Sequence, residues 1–202
     1  MPDTAPPADG AALTSSYLQT MLREQVIRTV TSSTRPTGVE GAWIFETDTE
    51  RYLSYDTAGG GGWIIQDEPI QAWTPAFSNT TTGNGTKVGT SRRSGGWVDF
   101  TAIFTLGSTS AMGTTPALTL PYAAKGIHAG ALKVMAFDAA PSYAPGTHTA
   151  VAAAGTTCDL MVLAANSTYL LNGTITSTTP FTWATGDILA VSGRYQMNTR
   201  YL

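Results

Sequence analysis

The chain has 202 residues, 42% of them apolar and only 12% charged, with a formal net charge of -3. That length supports a real core, the apolar content excludes disorder driven by charge, and the lack of a basic excess argues against nucleic acid as a partner. Thr and Ser together form about a quarter of the chain beside 21 Gly and 11 Pro, a mixture that favours strands and turns over long helices.

The charge is unevenly placed. Residues 1 to 68 carry four Arg against ten Asp or Glu, whereas 69 to 202 carry seven Lys or Arg against four Asp, so two units of different character are expected to meet near Pro69. The expected division is a flexible arm and attachment helix over 1–34, a β-meander module over 35–70 and a head domain over 71–202. The first ten residues, with three prolines and two aspartates, lack the apolar groups that would repay their ordering. Ser16 and Gln19 then form a capping-box pattern, and Leu18, Met21, Leu22 and Val26 follow on one helical face. About four turns are expected, ending before Thr31. An isolated helix this short is marginal in water, so its stripe has to dock, on its own chain, on other copies or on another protein.

Arg35 to Gly41 reads as a turn segment, followed by three short strands at 42–47, 51–55 and 63–66. The aromatics Trp43, Phe45, Tyr52 and Trp63 are expected to cover one side of this meander, and so small a sheet wants a partner surface. From Gln71 onward, eight candidate strands lie between Gly, Pro, Asn, Ser and Thr clusters: 96–106, 117–121, 126–137, 147–153, 159–165, 170–176, 181–183 and 188–195. Their number and spacing indicate a β-sandwich, jelly-roll-like head. Residues 101–104 and 132–137 alternate as strands with one wet face, and the continuous run from Leu160 to Leu163 is expected to be central. A basic stretch leading into an apolar run is lacking at the N-terminus, and no run of about 18 apolar residues occurs. Neither a signal segment nor membrane insertion is therefore expected.

Chemistry-bearing residues are sparse. Cys158 has no partner for a disulfide or a zinc-like spacing, so it reads as a buried, inert thiol folded in a reducing cytoplasm. His128 and His148 sit in no nucleophile motif and no Gly-x-Ser-x-Gly elbow exists. A glycosidase pair would have to come from Asp99, Asp138, Asp159 and Asp187. Of these, Asp187 reads as a turn acceptor, and Asp99 and Asp159 as solvent-facing edge charges at strand starts. Glu46, Asp48, Glu50 and Asp56 lack the spacing of a calcium loop and are expected to form a solvated turn. The expectation is a protein with no catalytic residues, no metal and no cofactor. For ligand contact the candidates are Tyr143, between Pro141 and Pro145, and His148 on the same loop.

The series Arg35-Pro36, Glu40-Gly41, Glu46-Thr47-Asp48-Thr49, Arg51 and Tyr55-Asp56, closing on Trp63, resembles a hairpin module of tailed-bacteriophage minor tail and fibre proteins. Trp73-Thr74-Pro75, Gly83 to Thr86, Val98 to Phe104, Leu118 to Pro121, Pro180, Trp183, Gly186-Asp187 and Gly193 to Tyr195 are similar to the β-domain that often follows it. The chain departs from that pattern at Ser91 to Ser94, where an aromatic and a basic pair are usual, and in its ending after Asn198. The resemblance implies a non-enzymatic virion protein made in the host cytoplasm and assembled as a homotrimer. Leu18, Met21, Leu22, Val26, Trp43, Phe45, Tyr52 and Trp63 would then attach and trimerise it on other virion proteins, while the sandwich is displayed at the tail tip or fibre toward a host-surface glycan. A capsid-surface decoration protein or head fibre is the alternative, and a polysaccharide depolymerase the second.

Overall fold

The β-rich composition is realised as fourteen strands among the described residues, β1 to β14 in chain order, with a single 3-10 turn as their only helix. The structure, a computed structural model, describes residues 27–58, 61–125, 130–139, 155–165, 170–198 and 202. Among these, no helix is long and apolar enough to cross a membrane. The chain divides into two units, one running through Glu68 and joined by Leu202, the other beginning at Pro69.

The first unit is a four-stranded sheet in the order β1 (Arg28–Val30), β2 (Trp43–Glu46), β3 (Arg51–Asp56), β4 (Gly62–Asp67). The expected helix at 16–26 lies outside the described residues, but its expected continuation toward residue 30 is overturned. Residues Arg28 to Val30 instead pair in parallel with Ile44 to Glu46. A second tie comes from Val30 O, which accepts the Thr47 N–H. The β-branched Thr29 and Val30 suit this extended backbone better than a helix. Pairing then sorts the side chains. Ile44 lies opposite Leu53, Leu53 opposite Ile65 and Tyr55 opposite Trp63, and Ile44, Leu53, Trp63 and Ile65 form a buried core. Trp43, Phe45 and Tyr52 occupy the other face, because neighbouring residues of a strand point to opposite sides. The expectation that all four aromatics share a side fails for Trp63, which lies one position out of register with that row.

The second unit is a two-layer, sandwich-like β structure, antiparallel in every strand pair among the described residues. One layer is a five-stranded sheet in the order β10 (Gly130–Phe137), β14 (Ile188–Gln196), β8 (Trp97–Thr105), β7 (Thr86–Ser94), β5 (Gln71–Trp73). The other layer holds β11 (Thr157–Asp159), β9 (Ala111–Thr119) and β6 (Ala76–Thr81). A hairpin of β12 (Met161–Ala165) and β13 (Leu170–Thr174) adjoins it, through Leu160 N–H on Pro116 O and Thr115 N–H on Ile175 O. Val98, Phe100, Ala102 and Phe104 of β8 point into the core together with Leu132, Val134, Leu189, Val191 and Tyr195 of the same sheet. Against them pack Phe77, Met112, Leu118, Cys158, Leu160, Val162 and Ile175.

Four sequence expectations change here. Strands β5, β6 and β7 precede the first strand expected in the head, because β5 is only three residues long and β6 and β7 carry little apolar signal, β7 turning small groups, Gly89 and Ser91, inward. The run from Leu160 to Leu163 is not one central strand. It breaks at Leu160, whose N–H turns to Pro116 while the flanking residues pair with β9 and β13 respectively. Phe181 to Trp183 form no strand, since the Trp183 indole donates to Thr176 O at 3.0 Å and draws the segment into a loop. Asp99 does not sit at an edge, for β8 is paired on both sides. The strand expected at 147–153 lies outside the described residues.

Tyr195 ties the layer edges together: its hydroxyl donates to Tyr122 O at 2.8 Å and accepts the Tyr122 N–H at 3.1 Å. Tyr195→Phe should therefore lower stability by about 1 to 2 kcal/mol, because both backbone groups lose a partner while the ring packing stays. A lower urea midpoint with an unchanged slope is the expected result.

Candidate functional site

On the other face of the first unit, Trp43 and Tyr52 remain 46% and 43% exposed, whereas Ile64, which shares that face by register, is buried. Phe45 stands opposite Tyr52 in the antiparallel register, with ring centroids 4.7 Å apart. These three are the attachment candidates that the structure brings together, whereas Trp63 is 7% exposed and belongs to the core. Leu18, Met21, Leu22, Val26, Tyr143, His128 and His148 lie outside the described residues.

This face is held rigid from behind by polar residues. The Glu46 carboxylate, fully buried, pairs with the Arg35 guanidinium and accepts the Thr49 hydroxyl at 2.7 Å. Glu68 is buried likewise and meets Arg51 Nε at 3.1 Å. Asp48 accepts both the Ser32 N–H and its hydroxyl, which holds its carboxyl below the usual aspartate range. The expected solvated acidic turn is therefore corrected at Glu46, a buried ion-pair member. Glu40 accepts from Thr57 N and Oγ1, Asp56 from Ala58 N, and the Trp63 indole donates to Pro36 O. Gly38 lies directly beneath the Tyr55 ring, where any Cβ would overlap it, and Tyr55 packs edge-on against Trp63 at 5.3 Å.

In the second unit Asp187 is buried and accepts from Ala184 N at 2.6 Å and Ala139 N at 3.0 Å, the turn role its sequence context indicates. Asp99 faces out from the five-stranded sheet between Arg92 and Arg194 in register, with Arg194 Nε 3.7 Å away. Asp159 ends β11 in the other layer, so Asp99 and Asp159 stand on different sheets, while Asp187 lies beside the residue that follows Asp138. Cys158 is fully buried, and burial pushes its thiol up to about 12. Among the described residues no group of three or more His, Cys, Asp or Glu is placed to hold a metal ion.

The sequence reading passed over one recess. A cleft of about 460 Å³ is lined by Ser78, Asn79, Thr115, Ala117, Asp159, Leu160, Met161 and Thr174. It opens where β6 and β9 part: Ser78 pairs with Ala117 and Thr80 with Met112, so Asn79 stands against four residues of β9. Asn79 and Thr115 both have left-handed backbone, with φ of 54° and 51°, and at Gly113 a Cβ would lie 2.2 Å from Asn79 O. The only sequence signal was Thr115-Pro116 inside an otherwise extended run.

No family model, no curated protein and no solved structure matches this chain.

Three outcomes follow from these contacts. Arg35→Ala should cost about 3 kcal/mol, since it strands a buried carboxylate, and thermal melting of the variant reads the loss. Ser32→Ala should let the Asp48 carboxyl titrate closer to its ordinary value of 3.8, as followed by carboxyl NMR. Because the folded value is depressed, Asp48 contributes fully above the unfolded pKa and the contribution is lost as pH falls through the folded one. Cys158 should resist thiol reagents at mildly alkaline pH until the chain is denatured, since it stays protonated and covered.

Proposed function

We propose that the chain is a structural virion protein of a tailed phage, trimeric and without catalytic activity. Its first unit attaches and self-associates, and its second unit is displayed toward the host surface. The observation that carries this reading is the partly exposed aromatic face of the first unit. Trp43, Phe45 and Tyr52 form a contiguous row on a four-stranded sheet whose opposite face already holds the core. Large exposed aromatics on a rigid sheet are the anchors that protein interfaces use. Supporting it, the residues that carry the resemblance to phage tail modules, Arg35, Pro36, Glu40, Glu46, Asp48, Asp56 and Trp63, are the ones whose contacts hold that face in place. In the head, the buried acid Asp187 and the buried Cys158 serve packing and turn geometry.

Light scattering on the full chain tests the reading. The expected mass is that of three chains, and Trp43→Ala with Tyr52→Ala should lower it while leaving the circular dichroism unchanged, because both side chains are half exposed in the single chain. A monomeric full-length protein, or a trimer indifferent to the double substitution, would sink the assignment of this face.

A further inference from the structure

We infer that the recess between β6, β9 and β11 is a binding site for a neutral polyhydroxylated ligand, the chemistry of a glycan; the inference rests on the host-surface reading above and gives it a location. The recess is preorganised. Asn79 Nδ2 donates to Thr115 O at 3.0 Å, and Ser78 Oγ bridges Ala117 N and O at 3.2 and 3.3 Å. From the far side, Thr115 N–H donates to Ile175 O and Leu160 N–H to Pro116 O. These bonds hold the strands apart, at the expense of two left-handed non-glycine residues, one of them β-branched. Such backbone is kept where the surroundings over-determine it, most often at functional sites.

The groups left over define the ligand. Among the described residues, the exposed Asp159 carboxylate has no hydrogen-bond or ion-pair partner, Asn79 Oδ1 accepts nothing, and the Thr174 hydroxyl is free. Acceptors predominate, so the complementary ligand brings hydroxyl donors, and a carboxylate takes two from a vicinal diol. Among the described residues no Lys, Arg or His lines the recess, so a phosphate or an acidic sugar would meet only like charge from them. One carboxylate is too few for a hard divalent cation, which wants six or more oxygens. Ala117, Leu160 and Met161 supply an apolar floor for the C–H face of a sugar ring, and about 460 Å³ falls within the range of ligand clefts.

The test is a 15N–1H NMR titration of the full chain with mannotriose, isomaltotriose and lactose, and with trigalacturonic acid as an anionic comparison. At least one neutral sugar should give saturable shifts centred on Ser78, Asn79, Thr115, Asp159 and Thr174. Asp159→Asn should weaken that binding about 10-fold, and Thr174→Ala, on a different strand, should weaken it too. Absence of saturable shifts with all three neutral sugars, shifts centred elsewhere, equal binding of the acidic trisaccharide, or both variants binding like wild type would each overturn the site. The readout is independent of assembly: a trimer whose recess stays empty removes the site and leaves the virion reading standing, and a sugar-binding monomer does the reverse.

Discussion

The larger unit depends on the two-sidedness of β8. Nine residues of this strand pair one for one with β7 on one side and β14 on the other, without a bulge. Because side chains alternate, that register sends Val98, Phe100, Ala102 and Phe104 into the core and leaves Asp99 and Thr101 in water. A slip by one residue would exchange the two sets at once. The neighbours agree with it: Ala102 lies beside Gly89 and Val191, and Phe104 beside Leu189 and Lys87. The Lys87 ammonium lies 5.0 Å from the Phe104 ring centre, so the charged neighbour of Phe104 itself closes the core edge.

The first unit solves a harder problem, because four buried side chains make a small core. Polar contacts supply the specificity. A carboxylate taken out of water is costly unless it is paired and hydrogen-bonded, and Glu46 achieves both through Arg35 and Thr49. The same contact draws the 31–42 connection over the sheet, where Pro36 O receives the Trp63 indole and Gly38 passes under Tyr55. Residues that read as a turn motif are thus the lid of the core. Their spacing in the chain follows from which strand each has to reach.

A functional reading emerges from the contrast between the two units. In the first, the polar residues are consumed by structure and the apolar row Trp43, Phe45, Tyr52 stays open. In the second, most large apolar residues are in the core, Ile70, Val88 and Met135 being exposed, and polar groups of the β6–β9 recess stay open. The first arrangement suits association with protein, where desolvated aromatics carry the energy. The second suits recognition of hydroxyls. Weak recognition of that kind gains strength when several copies are held together.

Alternation and turn residues made the all-β class legible from the chain alone, along with the meander strands, β8, β10, β12, β13 and the long β14, since each carries large apolar residues between turn-forming clusters. The charge asymmetry also pointed to a change of character near Pro69, and the Thr-Gly-Asp context of Asp187 to its turn. Tertiary structure decided the rest. Strands β5, β6 and β7 exist because neighbours complete their ladders, not because their short or largely polar sequences insist on it. Trp63 entered the core through pairing parity, and Glu46 was buried because Arg35 reaches it from eleven residues away. The recess was hidden for the same reason: Asn79, Thr115, Asp159 and Thr174 come from four strands, and beyond Thr115-Pro116 no local pattern records that β6 and β9 part between them. Periodicity is a property of one segment and can be read from it; register, burial of charge and the meeting of distant polar groups are properties of pairs, which only the folded chain brings into contact.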